Sequence, residues 1–384
     1  MTREELDILL SDEVRQAVRE NINRDSLAVA LDRHIPHAGV VATQVKYLTR
    51  ARAKLPSYVE AGCILPSLQF EQSSSEQCAS VKRCSGARVL DMTCGLGVDS
   101  LYLSRRFREV VAVERDEITA EIARENFRRL GVDNVEVVCA DSAEYLLQYG
   151  DRFDWIYADP DRRSSEGRKM VRMEDCSPDM VALLPEIRRR NLHLAVKLSP
   201  LFDVDEARRL FGDVTVEVVS LGGECKEVMV YCDGKESRRI ATAIDRSGKR
   251  EEFSAEWDAE RGLNGGEFDG DYRYLGVADV ALQKARLTAL AVGDRCDVWS
   301  HNGFVFAAEP IDNLPIRWYE IVSCEEYSPR QLRRQFKGQR IEILKRDFPL
   351  STAEICRACG IREGGEHRMA FTKIGAKYLA ILLK

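Results

Sequence analysis

The sequence predicts a doubly wound α/β core that begins near Arg88, with a mainly parallel seven-stranded sheet that ends in an edge hairpin. Three observations predict it. Short apolar runs alternate with amphipathic stretches from Arg88 onward. A glycine turn follows the first run directly. Carboxylates sit at the ends of the first three runs. The candidate strands are Arg88–Met92, Val110–Glu114, Val135–Cys139, Trp155–Ala158, His193–Leu198, Val214–Ser220 and Val228–Cys232. Amphipathic stretches, notably Glu117–Leu130 and Ala143–Gln148, lie between the first five. Such alternation implies right-handed crossovers and parallel pairing. The short LGGECKE link before the last strand predicts a hairpin.

Residues 1–80 read as helical. Val41, Val45 and Leu48 fall at helical spacing, as do Leu27, Ala30 and Leu31. Ser73 and Glu76 have the spacing of a capping box. Residues 233–270 are polar and weakly periodic, and read as an extension of the core or a linker. Beyond them, Asp279–Val292 and Ser328–Lys337 read as helices, Ile341–Lys345 as a strand, Thr352–Cys359 as a short helix and Tyr378–Leu383 as a closing strand. The expected division is a helical region at 1–80, a ligand-binding domain at 81–235, a small α+β, ferredoxin-like linker domain at 236–312 and a last small α/β domain at 313–384.

A chain of 384 residues, 45% hydrophobic, buries more than one core. Its formal net charge of −6 excludes a generic polyanion binder, so positive charge matters only where it clusters. The 12 cysteines are scattered, which fits a reducing, cytoplasmic compartment and free thiols. There is no cationic apolar leader, and no apolar run approaches the roughly 20 residues that span a bilayer, so no membrane role is expected. Cys356 and Cys359 form a lone CxxC with His367 downstream. A zinc site needs a fourth ligand, so packing is expected and metal is not.

The ligand signal is Asp91-Met92-Thr93-Cys94-Gly95-Leu96-Gly97. Gly95 and Gly97 permit a tight bend and close approach. Ser100 stands where a dinucleotide fingerprint has its third glycine. A carboxylate at Asp91 suits an ammonium-bearing ligand and would repel a pyrophosphate. S-adenosylmethionine carries an ammonium and a sulfonium. Glu114, followed by Arg115, stands one βα unit later and suits two ribose hydroxyls. Asp141, followed by Ser142, suits an adenine amine and ring nitrogen. Each feature alone also has a bland reading, since acids at strand ends often only cap helices.

The stretches DMTCGLGVDS, VERD and CADS together resemble the class I S-adenosylmethionine-dependent methyltransferases over residues 70–235. The resemblance implies their Rossmann-like fold, S-adenosyl-L-methionine as cofactor, and contacts from Asp91, Thr93, Cys94, Gly95, Gly97, Glu114, Arg115, Asp141 and Ser142. The next motif, Asp159-Pro160-Asp161-Arg162-Arg163, resembles the (Asp/Asn)-Pro-Pro-aromatic motif of methyltransferases that modify exocyclic base amines. That resemblance implies that Asp159 and the Pro160 carbonyl accept from a target NH2. Here Asp161 replaces the second proline and Arg162 the aromatic. The bland reading of the same motif is a turn with a surface ion pair. A guanidinium can stack on a base or grip phosphate. SLQFEQSSSE, KLSP, GGECKE and KRDFPLS are similar to a narrower group, bacterial methyltransferases with a C-terminal THUMP-like domain.

Two basic groups stand out. Arg163, Arg168 and Lys169 follow the reaction motif, and Arg330, Arg333, Arg334 and Lys337 share one helix side. They match the small positive footprint that RNA phosphates require, although charge runs are often only solvated surface. The expected function is methylation of a base amine in rRNA or tRNA. The alternatives are a protein or small-molecule acceptor, for which DPDRR leaves room, and a non-catalytic RNA-binding protein, against which Asp91, Glu114 and Asp159 argue.

Overall fold

The computed structural model describes residues 1–162, 176–268 and 271–384, with Arg162 described by its backbone. The chain forms two compact units. One comprises residues 1–214 and 228–235, the other residues 215–227 and 236–384.

In the first unit seven short helices precede the sheet: α1 (Arg3–Leu10), α2 (Asp12–Asn21), α3 (Ser26–Ala30), α4 (Ala38–Ala51), α5 (Pro56–Glu60), α6 (Ser67–Gln72) and α7 (Glu76–Ser80). The helical spacing of Val41, Val45 and Leu48 buries one face of α4. Leu27 and Leu31 do not follow suit. They are 67% and 74% exposed, and Val29 is the buried residue of α3. The expected capping box is also displaced. Ser75 caps α7 by accepting from the Cys78 amide at 3.2 Å, while Ser73 bonds back to the Phe70 carbonyl. Glu76 accepts from the Ser57 amide, the Ser57 hydroxyl and the Tyr102 hydroxyl instead. Three consecutive serines offer three caps, and tertiary partners for Glu76 decide between them.

The sheet follows with β1 (Gly86–Asp91), α8 (Val98–Leu103), β2 (Phe107–Glu114), α9 (Glu117–Leu130), β3 (Val135–Cys139), α10 (Ser142–Tyr149), β4 (Trp155–Ala158), the short β5 (Asp161–Arg162) and β6 (Cys176–Ser177), α11 (Met180–Arg189), β7 (His193–Leu198) and α12 (Val204–Phe211). β1 pairs in parallel with β2 and β4, β2 with β3, and β4 with β7. Strand order therefore reverses at β1 and β4, and the crevice at their C-terminal ends is where such sheets bind ligands. α9 is well delimited. Asp116 caps it through the Thr119 amide at 2.8 Å, and Gly131 ends it in the left-handed conformation. Its inner face, Ile122 and Phe127 among others, shares one core with Leu6, Leu48, Tyr58 and Leu65 of the N-terminal helices and with Leu96 and Leu101.

The chain then runs through β8 (Thr215–Leu221) and β9 (Glu224–Cys232). β9 pairs antiparallel with β7. β8 is not an edge strand, because β10 (Arg238–Ile244) pairs alongside it in parallel, and β11 (Arg250–Glu256) pairs with β10. The apolar run Ile240–Ile244 is almost wholly buried; polar flanks had disguised it as linker.

The rest of the second unit contains β12 (Tyr274–Ala278), α13 (Val280–Lys284), α14 (Thr288–Val292), β13 (Asp297–Val298), β14 (Val305–Ala307), β15 (Ile316–Glu326), α15 (Pro329–Phe336), β16 (Arg340–Lys345), α16 (Thr352–Cys359), β17 (Arg362–Glu363), β18 (His367–Ile374) and β19 (Lys377–Leu383). Its strands form one eight-stranded sheet in the order β13-β14-β12-β15-β19-β18-β16-β17. The expected division at 312/313 thus falls between strands of a single sheet, since β12 pairs along β15. The helix expected over Asp279–Val292 is two helices. Arg286, at φ 56°, closes the first with bonds from Arg286 to Gln283 and from Leu287 to Leu282, a Schellman stop that hydrophobic spacing cannot reveal. Among the described residues no helix is long and apolar enough to cross a membrane, and no cluster of His, Cys, Asp and Glu is placed to hold a metal. The cysteines are free; Cys359 is buried and Cys139 exposed.

Candidate active site

A cavity of about 630 Å³ opens at the C-terminal ends of β1 to β4. Thr93, Cys94, Gly95, Glu114, Arg115, Asp141 and Ser142 line it, with Asp159 and Asp161 further along. Most of the expected cofactor residues are thus brought together, delivered by the ends of three successive strands, β1, β2 and β3.

Two are not on the wall. Asp91 is 1% exposed, and its oxygens accept from the Thr93 amide at 2.9 Å and from the Ser100 hydroxyl. Burial pushes its carboxyl up to about 7, against the pull of those two donors. Asp91 therefore holds the turn and the start of α8 rather than facing a ligand. Gly97 is required for packing: a Cβ there, at φ +80°, would lie 2.4 Å from Phe127 Cζ. Gly95 differs, because a Cβ on it would meet open space.

Glu114 links the first two strand ends. One oxygen accepts from the Gly95 amide at 3.0 Å and the other from the Asp116 amide at 2.9 Å. Asp141 caps α10 through the Ala143 and Glu144 amides. Among the described residues the wall carries seven carboxylates, Asp99, Glu114, Asp116, Asp141, Asp159, Asp161 and Asp179, and one guanidinium, Arg115. That charge suits a cationic nucleoside and disfavours a phosphate ligand. Cys94, the one thiol among the described wall residues, is buried, and burial with Asp91 and Glu114 nearby pushes it well up.

At the far side of the cavity the Asp159 amide donates to Thr93 Oγ1 at 2.7 Å. Its carboxylate meets Lys197 Nζ at 2.5 Å and remains 37% exposed. Sequence reasoning missed this partner and those behind it. Lys197 also donates to Ser74 Oγ at 2.7 Å and lies 3.4 Å from Asp99 Oδ2, and Ser74 donates to Asp99 at 2.7 Å. Lys82, 1% exposed, lies 3.8 Å from the other Asp99 oxygen. The signal was present in KLSP and SLQFEQSSSE, which had been noted only as stretches of resemblance. Pro160 lies between two wall residues. Arg162 is described only by its backbone pairing with Cys176; Arg163, Arg168 and Lys169 lie outside the described residues.

In the second unit α15 buries Leu332 and exposes Arg330, Arg333 and Arg334, with Lys337 exposed at its end. Glu342, the one acid between Arg330 and Arg346 in sequence, pairs with Arg368. Arg333 and Lys337 run beside Gly360, at the end of α16.

Fold and site together define an S-adenosylmethionine-dependent methyltransferase. A methyltransferase domain model matches residues 89–189, and a THUMP domain-like model matches residues 316–384. The chain thus carries an S-adenosylmethionine-dependent methyltransferase domain followed by a THUMP-like domain. It is 26% identical over 307 residues to an uncharacterised S-adenosylmethionine-dependent methyltransferase of Mycobacterium tuberculosis, covering 78% of this chain and 81% of that one. A crystal structure from Porphyromonas gingivalis that carries a methyltransferase designation superposes with a TM-score of 0.80 at 26% identity, over 100% of this chain and 98% of that one. A shorter match, 38% identical over 110 residues, is to the 23S rRNA uracil-C5-methyltransferase RlmD of Alkalilimnicola ehrlichii, covering 25% of this chain and 24% of that one.

Proposed function

We propose that this enzyme methylates an exocyclic amine of a base in ribosomal or transfer RNA, in the cytoplasm. The observation that carries the reading is Asp159: a partly exposed carboxylate before a proline, on the wall of the cavity that Gly95 and Glu114 share. When bound, S-adenosylmethionine supplies an electrophilic methyl group on a sulfonium. Glu114 would accept from its ribose hydroxyls with the lone pairs its two amide bonds leave, and Asp141 and Ser142 would meet the adenine. Asp159 would accept an N–H of the target amine, align the nitrogen lone pair and offset the positive charge that grows there. The proton that nitrogen sheds after methylation has Asp159 as its nearest acceptor.

An RNA substrate is favoured by the exposed basic face of α15 within the THUMP-like segment and by the RlmD relatives, which act on 23S rRNA. An amine is favoured over carbon 5 of uracil by Cys94. Carbon methylation of that ring calls for a thiolate nucleophile, and the one thiol that the described residues give the cavity is pushed toward its neutral form by burial. The test is transfer of labelled methyl to total RNA from a strain lacking the gene, with wild-type RNA as control, followed by identification of the methylated nucleoside. Incorporation only into the deletion-strain RNA, as a base N-methyl, is expected. Incorporation into protein instead, or a carbon-bound methyl, would reject the reading.

A further inference from the structure

We propose that Lys197 is a positioning residue: with Ser74, Asp99 and Lys82 it forms a counter-charge chain that fixes the Asp159 carboxylate and balances its charge. This rests on the acceptor role given to Asp159 above.

Geometry comes first. Ala158 of β4 pairs with Val196 of β7, so Asp159 and Lys197 are the next residues of adjacent parallel strands and project to the same face. The ammonium has three protons, and its acceptors include Asp159 Oδ2 at 2.5 Å, Ser74 Oγ at 2.7 Å and Asp99 Oδ2 at 3.4 Å. Lys197 therefore has no proton left for a ligand and acts through Asp159. Ser74 accepts from Lys197 and donates to Asp99, which gives the chain one polarity. Ser74, Asp99 and Asp159 line the cavity; Lys197 and Lys82 stand behind it.

Charge explains why so many groups are used. Two neighbouring carboxylates raise each other's tendency to take up protons. Lys197 from β7 and Lys82 from the segment before β1 bring the set to neutrality, with Asp91 at the end of β1 as the remaining acid that feels Asp159. Burial pushes the Asp159 carboxyl above its ordinary value; Lys197 opposes that rise and Asp99 adds to it. Burial likewise pushes Asp99 up, but Lys197 and Lys82 overcome it and hold this carboxyl below the usual range. A neutral acid at Asp159 could neither accept the amine N–H as strongly nor offset charge on nitrogen.

The test compares wild type with Lys197→Met and Lys197→Arg. Isotope-labelled aspartate carboxyls are titrated by NMR, with Asp159→Asn assigning the Asp159 signal and calorimetry with S-adenosylhomocysteine confirming that each variant keeps its cofactor site. In Lys197→Met the Asp159 midpoint should rise by at least about one pH unit, and Lys197→Arg should restore it. Methyl transfer to deletion-strain RNA by Lys197→Met should fall at least about tenfold in kcat near pH 7 with KM for the cofactor unchanged, and recover at higher pH. An unmoved midpoint in Lys197→Met overturns the inference while leaving the acceptor role of Asp159 intact. A fully active Asp159→Asn overturns that role instead, whichever way the titration goes.

Discussion

The Thr93 hydroxyl accepts the Asp159 amide hydrogen at 2.7 Å, tying the turn after β1 to the segment after β4. One bond therefore couples the cofactor end of the cavity to its acceptor end. Thr93→Val keeps the shape and removes the acceptor. A bond of this kind contributes about 1 kcal/mol, so methyl transfer should fall roughly fivefold to tenfold while cofactor affinity changes little. Calorimetry beside initial rates separates the two, and an equal loss in both would show that Thr93 serves binding alone.

Glu114 carries two backbone amides besides any ribose contact. Glu114→Ala releases the Gly95 and Asp116 amides together. Cofactor affinity should drop by about two orders of magnitude, consistent with loss of several charge-assisted bonds of roughly 1.5–3 kcal/mol each that only partly add. Glu114→Gln should lie between. Wild-type affinity in Glu114→Ala would remove this residue from the cofactor site.

The two glycines of the turn should fail in different ways. Gly97→Ala drives a Cβ into Phe127 and should destabilise by about 2–4 kcal/mol in urea unfolding, with partial recovery in Gly97→Ala/Phe127→Ala. Gly95→Ala meets no atom and should cost only about 1 kcal/mol for its φ of +53°, yet weaken cofactor binding. The reverse ranking of stabilities would contradict the packing described.

Asp91 makes stability depend on pH. Its carboxyl is held at about 7 against an ordinary 3.8, so the folded state binds this proton more tightly than the unfolded chain. The contribution is fully present below about pH 4 and is lost as pH rises through about 7. At about 1.4 kcal/mol per unit, the loss is on the order of 4 kcal/mol. Asp91→Asn should flatten this part of the profile and stabilise the protein at pH 8. Unfolding curves with identical pH slopes in both proteins would refute it.

The basic helix offers a separate test. Arg333→Glu with Arg334→Glu should weaken RNA retention and flatten its salt dependence by about two counterions. Neither substitution touches the first unit's core, so cofactor binding should be unchanged. Undiminished retention would reduce α15 to solvated surface.

The core was legible because strand–helix alternation and strand-end acids are local patterns. α9 fell on its expected bounds, since Asp116 and Gly131 mark both ends in sequence. What stayed hidden was set by distant partners. Asp91 looked like a ligand contact because a strand-end carboxylate before a glycine turn serves either purpose; only the burial that Ser100 completes decides between them. Gly97 looked like a ligand glycine because Phe127 is 30 positions away. Lys197 was invisible as a charge partner because its mates, Ser74, Asp99 and Asp159, come from three other segments. Ile240–Ile244 was lost among polar neighbours, and with it the strand that covers β8.

The core that the N-terminal helices share with α8 and α9 bears on how this enzyme can be cut and recombined. The Tyr58 hydroxyl donates to the Leu96 carbonyl inside the glycine turn, and Asn126 clasps Ile64 from both sides. A fragment starting at the first strand would bare Leu101, Ile122 and Phe127 to water and leave that turn without its backing. The catalytic half is no interchangeable cassette, and chimaeras between relatives should keep their junctions out of the first 130 residues.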